Sequence, residues 1–101
     1  MSTSVTRPRS VTVARTERPR VYKVILLNDD YTPRAFVVSV LRCVFRMSTD
    51  QAHGVMLTAH MRGCCVVAVY TREIAETKAS QATEMGQREG FPLIFTVEPE
   101  D

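Results

Sequence analysis

Two groups of polar side chains have the types to do chemistry. The first is Asn28-Asp29-Asp30-Tyr31-Thr32, two carboxylates, an amide and two hydroxyls in one short run. The second is His60, four residues after Met56, so both side chains fall on one face if the segment is helical. An Asn, Asp or Thr in such a run favours turns and helix caps, because its oxygens bond nearby backbone N–H groups. One cap needs only one oxygen, so the run holds surplus acceptors. A lone His beside an apolar stripe is ordinarily a packed or half-exposed residue. Beyond that, Asp29, Asp30 and His60 could supply acid and base roles.

Other chemistries have weaker support. No nucleophile elbow and no glycine-rich phosphate loop is present. His53 and His60 are seven apart and no CxxC or HxxxH spacing occurs, so no metal or cofactor is expected. Cys64 and Cys65 are adjacent within an apolar run and point to opposite faces of a strand. With Cys43 they make an odd set of three, which argues for a reducing, cytoplasmic setting rather than a disulfide framework.

The elements that must position these groups are legible. Tyr22–Leu27 is rich in branched apolar residues and reads as a strand. Thr32-Pro33 reads as a helix cap followed by proline in the first turn, with a helix to about Phe45. Val37, Val40, Leu41, Val44 and Phe45 give it a buried stripe. Ser48 and Gln51 have the spacing of a capping box for a second helix, whose inward stripe is Ala52, Val55, Met56 and Ala59 and which Gly63 ends. Cys64–Thr71 is a strand expected to be buried on much of both faces. Thr71 is placed to cap a third helix to about Arg88, with Ile74, Ala75, Ala79, Ala82 and Met85 inward. Leu93–Val97 is the last strand. The order β-α-α-β-α-β predicts an α+β domain, a three-stranded antiparallel sheet packed on three helices.

Length and charge frame this domain. A chain of 101 residues fits one domain with one modest core. No apolar run reaches the ~18 residues of a membrane span. Residues 1–20 hold five arginines against Glu17, a charge of +4, so the remaining chain carries −2 of the net +2. The basic character therefore belongs to a Pro-interrupted segment expected to be a flexible N-terminal extension, ahead of a core domain over 21–101. Its Arg-rich composition is also that of a transit peptide, although Pro8 and Pro19 make a poor amphipathic helix. A nucleic-acid-binding face on the domain is poorly supported; a ribosome- or RNA-associated module rests on the arginines alone.

The residues also match a known pattern. YKVILLNDDYTPRAFVVSVL, then VMLTAH at 55–60, EIAETK at 73–78 and FPLIFTVEPE at 91–100, in this order, resemble the ClpS family of adaptors for the Clp AAA+ protease. The resemblance covers about residues 21–100. It implies a non-enzymatic, cytoplasmic adaptor, expected to be a monomer, that binds substrate N-termini beginning with Phe, Tyr, Trp or Leu. It implies that Asn28, Asp29 and His60 bind the free α-amine. Asp30 and Thr32 match the rest of the acidic loop and the pocket wall; Val37, Met56, Ala59 and Leu93 match the side-chain pocket. Glu73 and Lys78 match the surface that docks on the N-terminal domain of the Clp unfoldase. One position departs: Arg34 stands where the family usually has a gating Met. With Ala59, this resembles the second ClpS paralogue of alphaproteobacteria and implies an altered, narrower or weaker set of accepted residues.

Overall fold

The computed structural model describes residues 19–100. Most of the expected N-terminal extension, residues 1–18, lies outside the described residues, as does Asp101. The elements are β1 (Val21–Leu27), α1 (Arg34–Phe45), α2 (Thr49–Arg62), β2 (Cys64–Thr71), α3 (Arg72–Arg88) and β3 (Ile94–Pro99). The three strands form one sheet in the order β2-β1-β3, with both pairings antiparallel. This is the expected α+β architecture.

Strand β1 is central, paired on both edges, and its Val24, Ile25 and Leu26 are all buried. Val24 and Leu26 point into the helix layer and are fully or almost fully buried. They meet Val40, Leu41, Ala52, Met56 and Phe95 in a single core. Helix α2 packs on β2, and α3 packs chiefly on β3 and β1, while α1 lies against α2 and α3. The pairing of β1 with β2 shifts register between Val24 and Ile25.

Helix ends follow local chemistry. Ser48 Oγ accepts from Gln51 N at 3.1 Å and Gln51 Oε1 accepts from Ser48 N at 3.0 Å, which completes the expected capping box. Gly63 ends α2 at φ 93°, a backbone that glycine adopts without Cβ crowding. Helix α1 ends at Arg46, also left-handed at φ 58°. There Lys78 Nζ, reaching across from α3, donates to the Val44 carbonyl at 2.8 Å. A lysine at a helix C-terminus meets both an unpaired carbonyl and the negative end of the helix dipole.

Four expectations change. Thr32 does not cap α1; Pro33 is the N-cap, because the Thr32 hydroxyl and N–H both turn back to Asp29. Thr71 holds the N-cap position of α3 but makes no side-chain cap bond. Strand β2 is not buried on both faces: it is an edge strand with helices on one side only, and Val66 is 47% exposed. Ile74 is 48% exposed rather than inward. The buried face of α3 runs through Ala75, Ala79, Ala82 and Gly86, and Ile74 sits one residue, about 100°, off that line. In addition β3 starts at Ile94, which leaves Leu93 in the preceding turn.

The small residues of α3 let it approach the sheet closely. A Cβ on Gly86 would lie 2.9 Å from Leu93 Cβ. That atom is fixed to the backbone of a residue only 1% exposed, so it has nowhere to move. Gly86→Ala therefore lowers stability, although alanine is the better helix former by about 1 kcal/mol. Overpacking of ~1–3 kcal/mol outweighs that gain. The urea midpoint checks it: it should fall, and a rise would show that the turn gives way.

Candidate functional site

The site forms where β1 gives way to α1. Asp29 organises the crossing. Its Oδ1 accepts from Tyr31 N at 2.8 Å and Thr32 N at 2.7 Å, and its Oδ2 accepts from Thr32 Oγ1 at 2.9 Å. These bonds close an Asp-centred turn and draw Thr32 to 8% exposure. The turn chemistry that the residue types favour is thus what Asp29 does here. A carboxylate offers about four lone-pair sites, so this network leaves room on Oδ2 for one further donor.

A second bond joins the two halves of the site. Asn28 N donates to the carbonyl of Gly63 at 2.9 Å. It ties the end of β1 to the end of α2, where His60 sits one turn back. Along α2, Met56 and Ala59 are buried and His60 is exposed at the rim.

Between these elements lies a pocket of about 300 Å³, a size at the small end of ligand sites. Val37, Met56, Ala59 and Leu93 form its buried apolar floor. Asn28, Asp29, Asp30, Thr32, Arg34 and His60 stand around its mouth. The ten residues expected at the mouth and floor therefore converge on one cavity. Leu26, Leu27, Tyr31 and Pro33 also line it, although the sequence gives none of the four a pocket role. Leu26 was findable as an inward position of β1; Tyr31, 82% exposed, carries no such signal. The Phe36 and Phe91 rings, edge to face with centroids 4.9 Å apart, brace α1 against the turn that carries Leu93.

Arg34 reaches the mouth from the first residue of α1. Its Nη2 lies 3.1 Å from His60 Nε2. Glu73 and Lys78 are elsewhere, on α3. Glu73 is exposed in its first turn, whereas Lys78 is half-buried through its bond to Val44.

Two groups with shifted pKa lie outside the pocket. Burial, reinforced by Cys64, pushes the Cys65 thiol up against an opposing pull from Arg62, which disfavours the thiolate. Burial alone raises Tyr70. Among the described residues no three His, Cys, Asp or Glu side chains are grouped to hold a metal ion, and no helix is long and apolar enough to cross a membrane.

The family model described as the ATP-dependent Clp protease adaptor protein ClpS matches residues 17–96. The chain belongs to the ClpS family. The adapter protein ClpS 2 of Mesorhizobium japonicum is 59% identical over 96 residues, 95% of each chain. ClpS 1 of Bradyrhizobium diazoefficiens is 56% identical over 101 residues, the whole of both. The solved structure of Agrobacterium tumefaciens ClpS2 bound to L-phenylalaninamide has a TM-score of 0.81 and 63% identity, covering 82% of this chain and all of that one. The ClpS relatives thus carry both paralogue designations.

The geometry separates the structural role of Asp29 from any role toward a ligand. Asp29→Ala removes all three acceptor bonds and leaves the Thr32 N–H short of a partner, lowering stability by about 2–3 kcal/mol. Asp29→Asn keeps one carbonyl oxygen and should lose clearly less. Chemical denaturation of both variants checks this. Equal losses would show that the acceptor oxygens do not hold the loop.

Proposed function

We propose that this ClpS-family chain is a non-catalytic adaptor that holds the N-terminal residue of another protein and presents it to a Clp protease. The observation that carries the reading is the pairing of a buried apolar floor with clustered acceptors at one mouth. A protein N-terminus has this same division: a side chain beside an ammonium with three donors. The L-phenylalaninamide on the Agrobacterium tumefaciens relative is a free amine, an aromatic side chain and an amide, which are the features of a Phe N-terminus.

In this reading the floor residues Val37, Met56, Ala59 and Leu93 take a Phe, Tyr, Trp or Leu side chain. Burying it contributes roughly 1.5–3 kcal/mol. Asn28 Oδ1, the open site on Asp29 and a neutral His60 nitrogen receive the ammonium protons. Asp30 adds a second carboxylate beside them, and Thr32 holds the wall through Asp29. An internal residue brings only one amide N–H and leaves acceptors unmatched, a difference of about 1–3 kcal/mol. After association costs, micromolar-range binding is the expected order of magnitude.

Peptides beginning with Phe test this directly. Fluorescence anisotropy should show binding of the free-amine form and a loss of about 10-fold or more on α-amine acetylation. Equal binding of the two forms would overturn the reading.

The adaptor works in the cytoplasm as a monomer, with residues 1–20 preceding its core. Its exposed α3 surface at Glu73 docks on the N-terminal domain of the unfoldase. Lys78 serves there less as a free charge, because its ammonium is engaged at the end of α1. Glu73→Ala should leave peptide affinity unchanged while slowing adaptor-dependent degradation of a Phe-started reporter by Clp unfoldase and protease. Undiminished degradation would place docking elsewhere.

A further inference from the structure

His60 is not idle in the ligand-free protein. Arg34 Nη2 stands 3.1 Å from its Nε2. A guanidinium has only donors and keeps its charge, so Arg34 supplies the hydrogen and Nε2 the lone pair. A neutral imidazole has one acceptor nitrogen. If Nε2 accepts, Nδ1 carries the proton and can only donate. While Arg34 is in place, His60 therefore cannot accept from an ammonium through either nitrogen. The contact forms although two carboxylates share the same mouth: among the described residues Arg34 makes no ion pair with Asp29 or Asp30. Both partners are exposed, so the bond can open without unfolding its surroundings.

We propose that Arg34 is an internal competitor for the amine site: its guanidinium holds the His60 lone pair that a substrate's α-amine needs, and peptide binding requires it to swing out. This rests on the amine-binding role given to His60 above. The competition acts on a group that every substrate shares. It therefore weakens all free-amine peptides by one common factor, unlike a gate that acts on the first side chain by its shape. A common factor still narrows the usable set, because the side chains that gain least from the floor fall first below working affinity. For one solvent-exposed hydrogen bond the factor is about 2- to 10-fold.

Peptides beginning with Phe, Tyr and Leu, with acetylated Phe as control, are titrated into wild type, Arg34→Met, His60→Ala and the double variant. Methionine keeps the length of the stem and removes the donors. Arg34→Met should tighten all free-amine peptides by the same ~2- to 10-fold and should have no such effect in the His60→Ala background. Unchanged or weaker binding overturns the proposal. So does a tightening that differs between Phe and Leu, or one that survives loss of His60. Nitrogen-detected NMR of the His60 ring in the ligand-free protein gives a second readout. Wild type should hold the Nδ1–H tautomer, and Arg34→Met should shift toward Nε2–H; an Nε2–H ring in wild type overturns the competitor. Failure of the adaptor reading looks different: free and acetylated peptides would bind alike in all four proteins while the tautomer shift remained.

Discussion

The carboxylate of Asp29 is the constraint on which the rest of the site depends. A chain leaving a strand and starting a helix after six intervening residues must reverse direction with few internal partners. Asp29 supplies them by accepting from two backbone N–H groups and the Thr32 hydroxyl. The loop is thereby built around an acid that is already hydrogen-bonded, and its negative charge remains beside the pocket. The same bonds decide where α1 begins. With Thr32 committed to the loop, Pro33 becomes the cap and Arg34 the first helical residue, close enough to reach His60.

The opposite wall is set by backbone geometry. The Gly63 carbonyl, presented by a left-handed cap, accepts from Asn28 N–H. Pairing of Leu27 with Cys64 continues the same join into the sheet. His60 is therefore positioned against the loop by main-chain bonds that do not depend on the imidazole. Such preorganisation reduces the ordering that binding must impose. The helix faces contribute by being small: Ala52 and Ala59 on α2, and Ala75, Ala79 and Ala82 on α3, are buried without filling much space.

The sequence made much of this visible, for identifiable reasons. Ser48 with Gln51, Gly63, and the stripe through Val37, Val40, Leu41 and Val44 are local signals, and local hydrogen bonding and helical period produce them. The residues of the pocket were legible through resemblance to ClpS proteins; the loop and His60 read alone suited several chemistries. What stayed hidden was tertiary. CCVVAVYT reads as a strand covered on both sides, and only the strand order, which pairs it with β1 alone, and the open side of Val66 and Val69 show it as an exposed edge. Ile74 is more apolar than its neighbours, yet alanines allow the closer approach and take the buried face. Thr32 has a good capping side chain, but a nearer carboxylate claims it. Arg34 and His60 are 26 residues apart, and no periodicity links them.

Gly86 has a meaning beyond its own helix. It is not among the residues that line the cavity, yet its missing side chain leaves the room that Leu93, a lining residue, occupies. The shape that a ligand meets is thus written partly at a position no ligand touches. A side chain at 86 would press on Leu93 from outside the lining, so the bare α-carbon there is part of what fixes the pocket's end.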